Sequence, residues 1–414
     1  MMNRIALSLS LITISLISFG QKATIVGQDT ETSNPIRTAV PFLTITPESR
    51  AGGMGDVGVA TTPDNSSIQY NVAKYLFSEQ NYGLSISYTP WLTNLGIHDI
   101  NLLNVAGFSK LNEMQTISGS LTYFSLGNIQ FLDDFGEFVK DYTPNEFNIK
   151  MGYSRLLTDQ LSMGISLGYA YSNLTGGYSN SSTEVTAGNS FVADVGFYYN
   201  NDIEVSGYDA NYALGLSIKD IGNTMSYSEG AEKSFLPTTM RLGGAFTIDL
   251  DDYNSIMTSV EFSKLLVPTP PIYYAAGEVD ENGDTVLVGG EYIKAGKSSD
   301  VSVGTGMFQS FYDAPGIEKA DGSRNVVSEE LKEIMWSVGL EYWYAKQFAL
   351  RGGYFHESTM KGNRKYFSMG LGLKYNVFGF DFAYLIPVNG KTSPLANTLR
   401  FSISFNFVDT NKSK

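Results

Sequence analysis

The 414-residue sequence contains no cysteine and only two histidines, His98 and His356. Without cysteine the chain has no disulfide framework, no thiolate metal site, no thiol nucleophile and no lipid-bearing cysteine of a bacterial lipoprotein. The two histidines are far apart in sequence, and a lone loop histidine such as His98 is more often a solvated polar residue than a ligand. We therefore expect neither a metal nor a cofactor.

Charged residues are also few, at 17% of the chain, and the formal net charge is −14. This balance argues against a nucleic-acid partner, because phosphate binding needs clustered lysine and arginine. We expect no Gly-x-Ser-x-Gly elbow of the kind that presents a nucleophilic serine. The run RAGGMGDVG at residues 50–58 lacks the Lys-Ser or Lys-Thr end of a phosphate-binding loop, so its glycines are interpreted as permitting close packing. The sequence therefore predicts no enzyme activity.

A long apolar run occurs only at the N-terminus, where Arg4 precedes the stretch 5–19 and small residues stand at Ser18 and Gly20. This pattern predicts a secretory signal peptide at residues 1–20, cleaved near Gly20. A membrane anchor is the weaker alternative, because a spanning helix needs about 20 apolar residues. Since no later stretch approaches that length, the exported chain is expected to be either a soluble protein or a β-barrel.

Glycine and aromatic residues are abundant, with 42 Gly, 26 Tyr and 25 Phe. From residue 81 onward, apolar side chains alternate with small or polar ones, which is the period of a strand with two different surroundings. In residues 160–174 one face carries Gly, Ser and Ala, and the other face carries Leu161, Met163, Ile165, Leu167, Tyr169 and Tyr171. Residues 364–375 and 397–407 repeat this alternation.

Fourteen such segments are predicted, and short turns alternate with long loops between them. An even number of strands with tight turns at one rim is typical of bacterial outer-membrane barrels. We therefore predict an all-β fold, a fourteen-stranded antiparallel transmembrane β-barrel over residues 81–407, with a soluble all-β protein as the alternative. The segments are residues 81–91, 100–110, 115–127, 145–157, 160–174, 189–200, 208–220, 237–249, 254–267, 333–345, 347–357, 364–375, 378–387 and 397–407.

In such a barrel the apolar face contacts lipid and the second face lines the lumen. Residues 21–80 lack barrel-length alternation and are expected to fill the lumen as a hatch. Charges of both signs on the lumenal face either line a water channel, hold the hatch through ion pairs or only solvate the interior. The expected lumen or hatch contacts are Arg50, Arg241, Glu341, Arg351 and Arg400, and the same face carries Lys150, Asp194, Glu261, Lys374 and Asp381.

The longest connection, residues 268–332, is expected at the extracellular rim, whereas the tail 408–414 and both termini are expected in the periplasm. Loops of this length are usually functional or disordered. Its aromatic groups are predicted either to bind a partner protein or to fold inward and cap the barrel. The predicted partner-binding residues are Ile272, Tyr273, Tyr274, Met307, Phe308, Phe311 and Tyr312.

Three segments resemble one known family. The run TAVPFLTITPESRAGGMGDVGVATTPD at residues 38–64 closely resembles the N-terminal region of the PorV family, outer-membrane components of the type IX secretion system of Bacteroidetes. SYTPWLTNLGIHDINLL at residues 87–103 and QSFYDAPG at residues 309–316 are also similar to that family. One departure is visible, because Val72 stands where related sequences favour proline after an aromatic residue and asparagine.

The resemblance implies a fold like that of the FadL fatty-acid transporters, with an N-terminal hatch in a fourteen-stranded barrel. It also implies an outer-membrane carrier that binds the C-terminal signal domains of secreted cargo at the type IX translocon barrel. Such a carrier delivers cargo to the sortase and attachment-complex proteins at the cell surface. A FadL-like transporter of hydrophobic small molecules is the alternative, because a shared fold does not decide function.

Overall fold

A computed structural model of the chain describes residues 33–93, 96–132, 136–176, 185–228, 233–280, 283–290, 292–319, 321–388 and 398–408. The predicted signal peptide at residues 1–20, residues 21–32 of the predicted hatch and residues 409–414 of the predicted tail lie outside the described residues.

Fourteen antiparallel strands close into a barrel because the first strand pairs with the last, Tyr82 opposite Phe407 and Tyr88 opposite Phe401. Closure gives each wall strand two neighbours, so the wall has no open edge. The wall strands are β1 (Tyr82–Pro90), β2 (Ile100–Asn112), β3 (Gln115–Leu126), β6 (Asn145–Leu156), β7 (Leu161–Asn173), β8 (Gly188–Val205), β9 (Tyr208–Gly222), β10 (Thr239–Asp249), β11 (Asn254–Leu265), β16 (Met335–Tyr344), β17 (Phe348–His356), β18 (Lys365–Tyr375), β19 (Phe378–Pro387) and β20 (Leu399–Phe407).

The predicted fold class is confirmed, and the strand ends agree with the prediction within two residues except at the end of β8. The prediction ended that strand at residue 200, whereas it continues to Val205 and turns back through Ser206 and Gly207. Both turn residues have positive φ, 55° and 85°, as tight two-residue hairpins require. The extension escaped prediction because Asn200, Asn201 and Asp202 interrupt the alternation while backbone pairing continues.

Several further regular elements lie in the long connections, which share one rim of the wall. A hairpin of β4 (Ile129–Leu132) and β5 (Phe138–Tyr142) follows β3. The longest connection, between β11 and β16, contains β12 (Ile272–Tyr273), β13 (Ile293–Ala295), α2 (Val303–Gln309), β14 (Ile317–Glu318), β15 (Arg324–Asn325) and α3 (Val326–Lys332). Among the described residues, no helix is both long and apolar enough to cross a membrane.

The wall has an apolar outside and a polar inside. In β7, Leu167 is 66% exposed on the outside, whereas its neighbour Ser166 is 1% exposed on the inside. Register places apolar partners beside one another on the outer face, as with Leu340, Gly352 and Met369 across three strands. The inner face is buried although it is polar, so other parts of the chain must cover it.

The cover is the hatch, the part of the chain before β1, which runs through the barrel from rim to rim. Asn34 donates its amide N–H to the carbonyl of Met360 in a long loop, 2.9 Å away. At the other rim, Lys110 near the end of β2 donates to the carbonyl of Ser78, 2.6 Å away. Between these ends lie α1 (Ser49–Gly52) and the 3-10 helices Pro41–Thr44, Ser67–Gln69 and Val72–Phe77.

The described chain consequently begins and ends at opposite rims. Asn34 lies at the rim of the long loops, whereas Phe407 ends β20 at the rim of the short turns. The termini themselves, both expected in the periplasm, lie outside the described residues, so that expectation stays a prediction. The described hatch spans the height of the lumen before it joins β1.

Candidate functional site

The centre of the hatch is held by a chain of buried ion pairs. Arg50 lies 2.8 Å from Glu341 on β16 and 3.0 Å from Asp64 in the hatch itself. Glu341 also accepts from Arg351 on β17 at 2.6 Å, and Arg351 reaches Asp381 on β19 at 2.7 Å. Because Glu341 is 1% exposed, it shares its charge between two guanidinium groups away from water, where removal of one partner is most costly.

The backbone of the hatch is fixed at a second point by Glu261 on β11. One oxygen of its carboxylate accepts from the amides of Gly58 and Val59, at 2.8 and 2.9 Å. Its other oxygen accepts from Arg241 on β10 at 2.6 Å. A wall carboxylate thus satisfies two backbone donors that an irregular segment would otherwise bury unpaired.

A third anchor lies near Asp56, where the hatch turns sharply. Gly55 and Asp56 both have positive φ, 72° and 63°. Asp56 accepts from Arg400 on β20 at 2.7 Å and from the hydroxyl of Tyr366 on β18. The wall therefore holds a backbone conformation that a non-glycine residue rarely adopts.

Close backbone contact accompanies these polar anchors. A Cβ atom added to Gly353 on β17 would lie 2.1 Å from the carbonyl carbon of Met54 and 2.2 Å from the amide of Gly55. A Cβ atom added to Gly352, the preceding residue, which faces outward, would meet nothing within 4 Å. Only a residue without a side chain permits the hatch to approach the wall at position 353.

The structure thus places each residue predicted to contact the hatch. Arg50, Glu341 and Arg351 meet in one network, whereas Arg241 and Arg400 lie at separate anchors. The hatch partners Asp56, Asp64 and Lys74 were not among the candidates. Lys74 donates to the carbonyl of Gly58 at 2.8 Å and to Thr61 at 3.0 Å, so it stabilises the hatch internally. The sequence feature that could have identified these three residues is their charge, since they lie in a segment predicted to fill the lumen.

A further buried group lies in the wall itself. Lys150 on β6 binds Asp194 at 2.7 Å and Asp220 at 2.7 Å. The cavity between this group and the hatch has about 10 Å³ of space, room for about one water molecule. Little space therefore remains between the hatch and the wall beside Lys150.

The spacing Gly-x-Ser-x-Gly does occur, at residues 164–168, but it lies in the middle of β7. Ser166 donates to Asp194 at 2.6 Å. A nucleophile elbow requires a strand-to-helix turn. Ser166 lies within a wall strand instead, so this spacing does not form an elbow. The described residues hold no group of three or more His, Asp or Glu side chains arranged to bind a metal.

The long loop, residues 268–332, carries the second set of predicted residues on two elements. Met307 and Phe308 lie on α2, and Phe311 and Tyr312 follow its end. Phe308 is 76% exposed, Tyr312 53% and Phe311 47%. The aromatic group therefore faces outward over much of its surface, while Lys297 lies 3.9 Å from the ring centre of Tyr312.

The other three predicted residues belong to the hairpin of β12 and β13. Ile272 pairs with Ala295 and Tyr273 with Ile293. The ring centre of Tyr274 lies 5.6 Å from the ammonium nitrogen of Lys294. Lys294 also donates to Glu278 at 2.8 Å, and this hydrogen bond holds the pKa of Glu278 below its ordinary value. Lys294 on β13 and Lys297, two residues after the end of β13, thus each lie over one ring of an aromatic group.

A closed wall with an apolar outside and a hatch-filled inside defines an outer-membrane β-barrel. The sequence profile of the family described as "Type IX secretion system protein PorV" matches residues 28–272, more than half of the chain. The chain belongs to the PorV family, and it is an outer-membrane protein of the type IX secretion system. The predicted resemblance is thereby confirmed.

Several solved structures have a similar architecture. The "TodX deltaS2S3 mutant monoaromatic hydrocarbon channel" has a TM-score of 0.47 at 11% identity, covering 87% of this chain and 99% of its own. The Ralstonia pickettii toluene transporter TbuX has a TM-score of 0.44 at 11% identity, covering 88% and 98%. A Pseudomonas aeruginosa FadL homologue has 0.41 at 11%, covering 91% and 100%. No curated protein matches the sequence.

Proposed function

We propose that this protein is a carrier and scaffold for type IX secretion. It binds the C-terminal signal domains of cargo as they leave the translocon barrel, and it delivers them to the sortase and attachment-complex proteins at the cell surface. The observation that carries this proposal is the division of the molecule into a sealed interior and an exposed aromatic loop. Among the described residues, the cavity between the hatch and Lys150 has room for only about one water molecule, which favours binding outside the wall.

The sealed interior is supported by the density of hatch contacts. Arg50, Glu261 and Arg400 each join the hatch to the wall through buried charged groups. Several such anchors must break together before a pore opens. A FadL-like transporter of hydrophobic molecules, the alternative function, would need a lumenal route that these contacts obstruct.

The two rims support the orientation that we propose. Bacterial barrels place short turns in the periplasm and long loops outside the cell. In this orientation the end of β20 is periplasmic and the long loop is extracellular. Asn34 then lies at the extracellular rim, beside Pro270 and Glu329 of that loop.

The contact surface that we propose is the aromatic group of Phe308, Phe311 and Tyr312, with the hairpin residues Ile272, Tyr273 and Tyr274 and with Met307 beside it. Exposed aromatic rings bury large apolar areas and lose little side-chain entropy, which makes them common hot spots. Their position outside the wall leaves them accessible to a folded domain.

The test is a pull-down from native membranes with a tag at the C-terminus. The unaltered protein is expected to recover the translocon barrel and cargo C-terminal domains. A variant with Phe308→Ser, Phe311→Ser and Tyr312→Ser is expected to lose the cargo domains. The matched control replaces two exposed aliphatic residues of the same loop, Leu287→Ser and Val288→Ser, and should retain them.

Deletion of the gene separates the two functions in a second way. A carrier predicts broad loss of unrelated exported proteins from the surface and the medium. A transporter predicts loss of uptake of one class of hydrophobic compound with export intact. That second outcome, together with a pull-down that recovers neither partner, would overturn the proposal.

A further inference from the structure

A buried cluster of charged side chains fastens the long loop to the rim of the barrel. We call it the latch, and its members are Lys264 on β11, Asp313, Glu329, Glu330 and Glu333 from the loop and its junction with β16, and Lys361 from the loop between β17 and β18. Asp313 and Glu329 are both 0% exposed. Groups of this kind are retained inside a protein only where partners compensate their charge.

The two lysines hold three of the four carboxylates. Lys264 binds Glu333 and lies 3.4 Å from Glu330. Lys361 lies 2.7 Å from Glu329 and 2.9 Å from Glu333. The long loop is thereby tied to wall strand β11 and to the loop between β17 and β18.

The latch also reaches the first described residues of the hatch. Asn34 donates its side-chain amide to Glu329 at 3.2 Å and to the carbonyl of Pro270 at 3.1 Å. Wall, long loop, neighbouring loop and hatch therefore meet at one cluster, so a change in its charge acts on all four.

The charges of the latch do not balance. Four carboxylates face two ammonium groups, and two buried carboxylate oxygens, Oδ1 of Asp313 and Oε2 of Glu329, have no hydrogen-bond partner among the described residues. Oδ2 of Asp313 accepts from the amide of Thr269 at 3.1 Å. The same Thr269 donates its hydroxyl to Glu333 at 2.6 Å, which brings the two carboxylates close together. An excess of buried negative charge with unpaired oxygens favours uptake of a proton.

The groups around Asp313 point to it as the residue that takes the proton. Gln309 of α2 faces its carboxylate, Glu330 accepts from the amide of Ala314 at 2.9 Å, and the nearby Lys297 is directed at the ring of Tyr312. Burial, followed by the negative charges of Glu330 and Glu333, raises the pKa of Asp313 to about 7, although the Thr269 amide acts in the opposite direction.

We propose that the latch is a proton-sensitive device in which a proton held at Asp313 keeps the long loop docked on the rim, and loss of that proton loosens α2 and α3. The docked form binds the proton more tightly than the released form, in which Asp313 has its ordinary pKa near 3.8. Docking is therefore strongest at low pH and weakens as pH rises towards about 7. The device does not depend on what the loop binds.

The experiment is amide hydrogen exchange on the full mature protein in detergent micelles, corrected for the intrinsic pH dependence of exchange. Protection of α2 and α3 is expected to fall about tenfold between pH 6 and pH 8. The reason is that release of the loop is accompanied by loss of the proton from Asp313, so a higher pH favours the released form until Asp313 is also deprotonated in the docked form. Protection of the wall strands should stay constant. Equal protection of the two helices at both pH values would overturn the proposal.

Two variants sharpen the result. Asp313→Asn keeps an acceptor for Thr269 without a titratable group, so it should remove the pH dependence of protection. Asp284→Asn, at an exposed position of the same loop, should leave that dependence unchanged. An Asp313→Asn protein with the unaltered pH profile would contradict the assignment, and should this variant not fold, the profile of the unaltered protein decides alone.

Discussion

The hatch and the long loop are both irregular segments beside one wall, but they arrange their side chains in opposite ways. In the hatch Val40, Val57 and Tyr75 are fully buried, whereas in the loop Leu287 is 88% and Phe308 76% exposed. The described hatch is largely enclosed by the wall, and Arg50 and Asp56 pair with charges of the wall. The long loop has the wall on one side only, so the other side is free for contacts.

The short helix α3 shows this difference most clearly. Its buried residue is Glu329, at 0% exposure, while Val327 and Leu331 on another face are 68% and 63% exposed. Residues four apart lie on the same face of a helix, so the apolar face points away from the rim. Inside the barrel, ion pairs hold the hatch to the wall. At the rim, ion pairs hold only the side of the long loop that faces the barrel.

The largest effect that would test this comparison is expected for Glu341→Gln. The change leaves Arg50 and Arg351 buried with one carboxylate fewer, which should lower the free energy of unfolding by about 3–5 kcal/mol. Guanidinium unfolding in detergent measures the loss. The loop offers a matched control in Glu318→Gln, whose salt bridge with Arg324 is exposed and contributes about 1 kcal/mol or less. Equal losses in the two variants would show that the hatch is not fastened by its ion pairs.

A smaller effect is expected where the hatch touches the wall backbone. Gly353→Ala should cost about 1–3 kcal/mol of unfolding free energy, because the added methyl group meets the main chain of Met54 and Gly55. It should also speed amide exchange in the hatch. Gly352→Ala, one position away on the outer face, should be tolerated. If both substitutions behave alike, the hatch does not press against β17 as described.

The loop is expected to respond in binding and not in stability. Phe308→Ser should leave the unfolding midpoint unchanged and weaken capture of an isolated cargo C-terminal domain by about 2 kcal/mol, roughly 30-fold. Fluorescence titration of the purified protein measures the affinity. Leu287→Ser is the control, since it removes a more exposed apolar side chain from the same loop. An unchanged affinity for the Phe308 variant would remove α2 from the proposed contact surface.

The sequence was sufficient for the wall and for the charges that line it, because both follow from a period of two. Arg241 and Glu261 were assigned to the inner face from alternation alone, and they do lie there, 2.6 Å apart. Alternation could not show which hatch residue each would meet. Asp56 owes its role to a left-handed turn that has no periodic signal.

The latch escaped prediction for a related reason. Lys264, Asp313 and Lys361 lie in three different segments of the chain, and only the closed wall brings them together. The position of Asn34 at the long-loop rim was equally hidden, because an irregular segment carries no sign of its direction through the lumen. Contacts between irregular segments that are distant in the chain could therefore not be predicted from the sequence.

The smallest expected effect concerns Val72, where related sequences favour proline. Val72 is the first residue of a 3-10 helix, after Asn71, whose side chain caps that helix and whose ψ of 104° is compatible with a following proline. Proline is favoured at this position, so Val72→Pro should raise the free energy of unfolding by about 0.4–1 kcal/mol by restricting the unfolded chain. The carbonyl of residue 72 remains available to Ser154, which donates to it at 3.1 Å.

Val72→Ala separates packing from backbone restriction in this prediction. Val72 is 3% exposed and its methyl groups lie against Gly152 and Gly164 of the wall. Alanine loses these contacts and gains no ring, so it should lower stability, as deletion of buried methyl groups does. Paired guanidinium unfolding curves give both values. A proline variant less stable than the alanine variant would mean that the hatch needs the N–H of residue 72. The hatch would then differ from the long loop in not tolerating the loss of this one backbone donor.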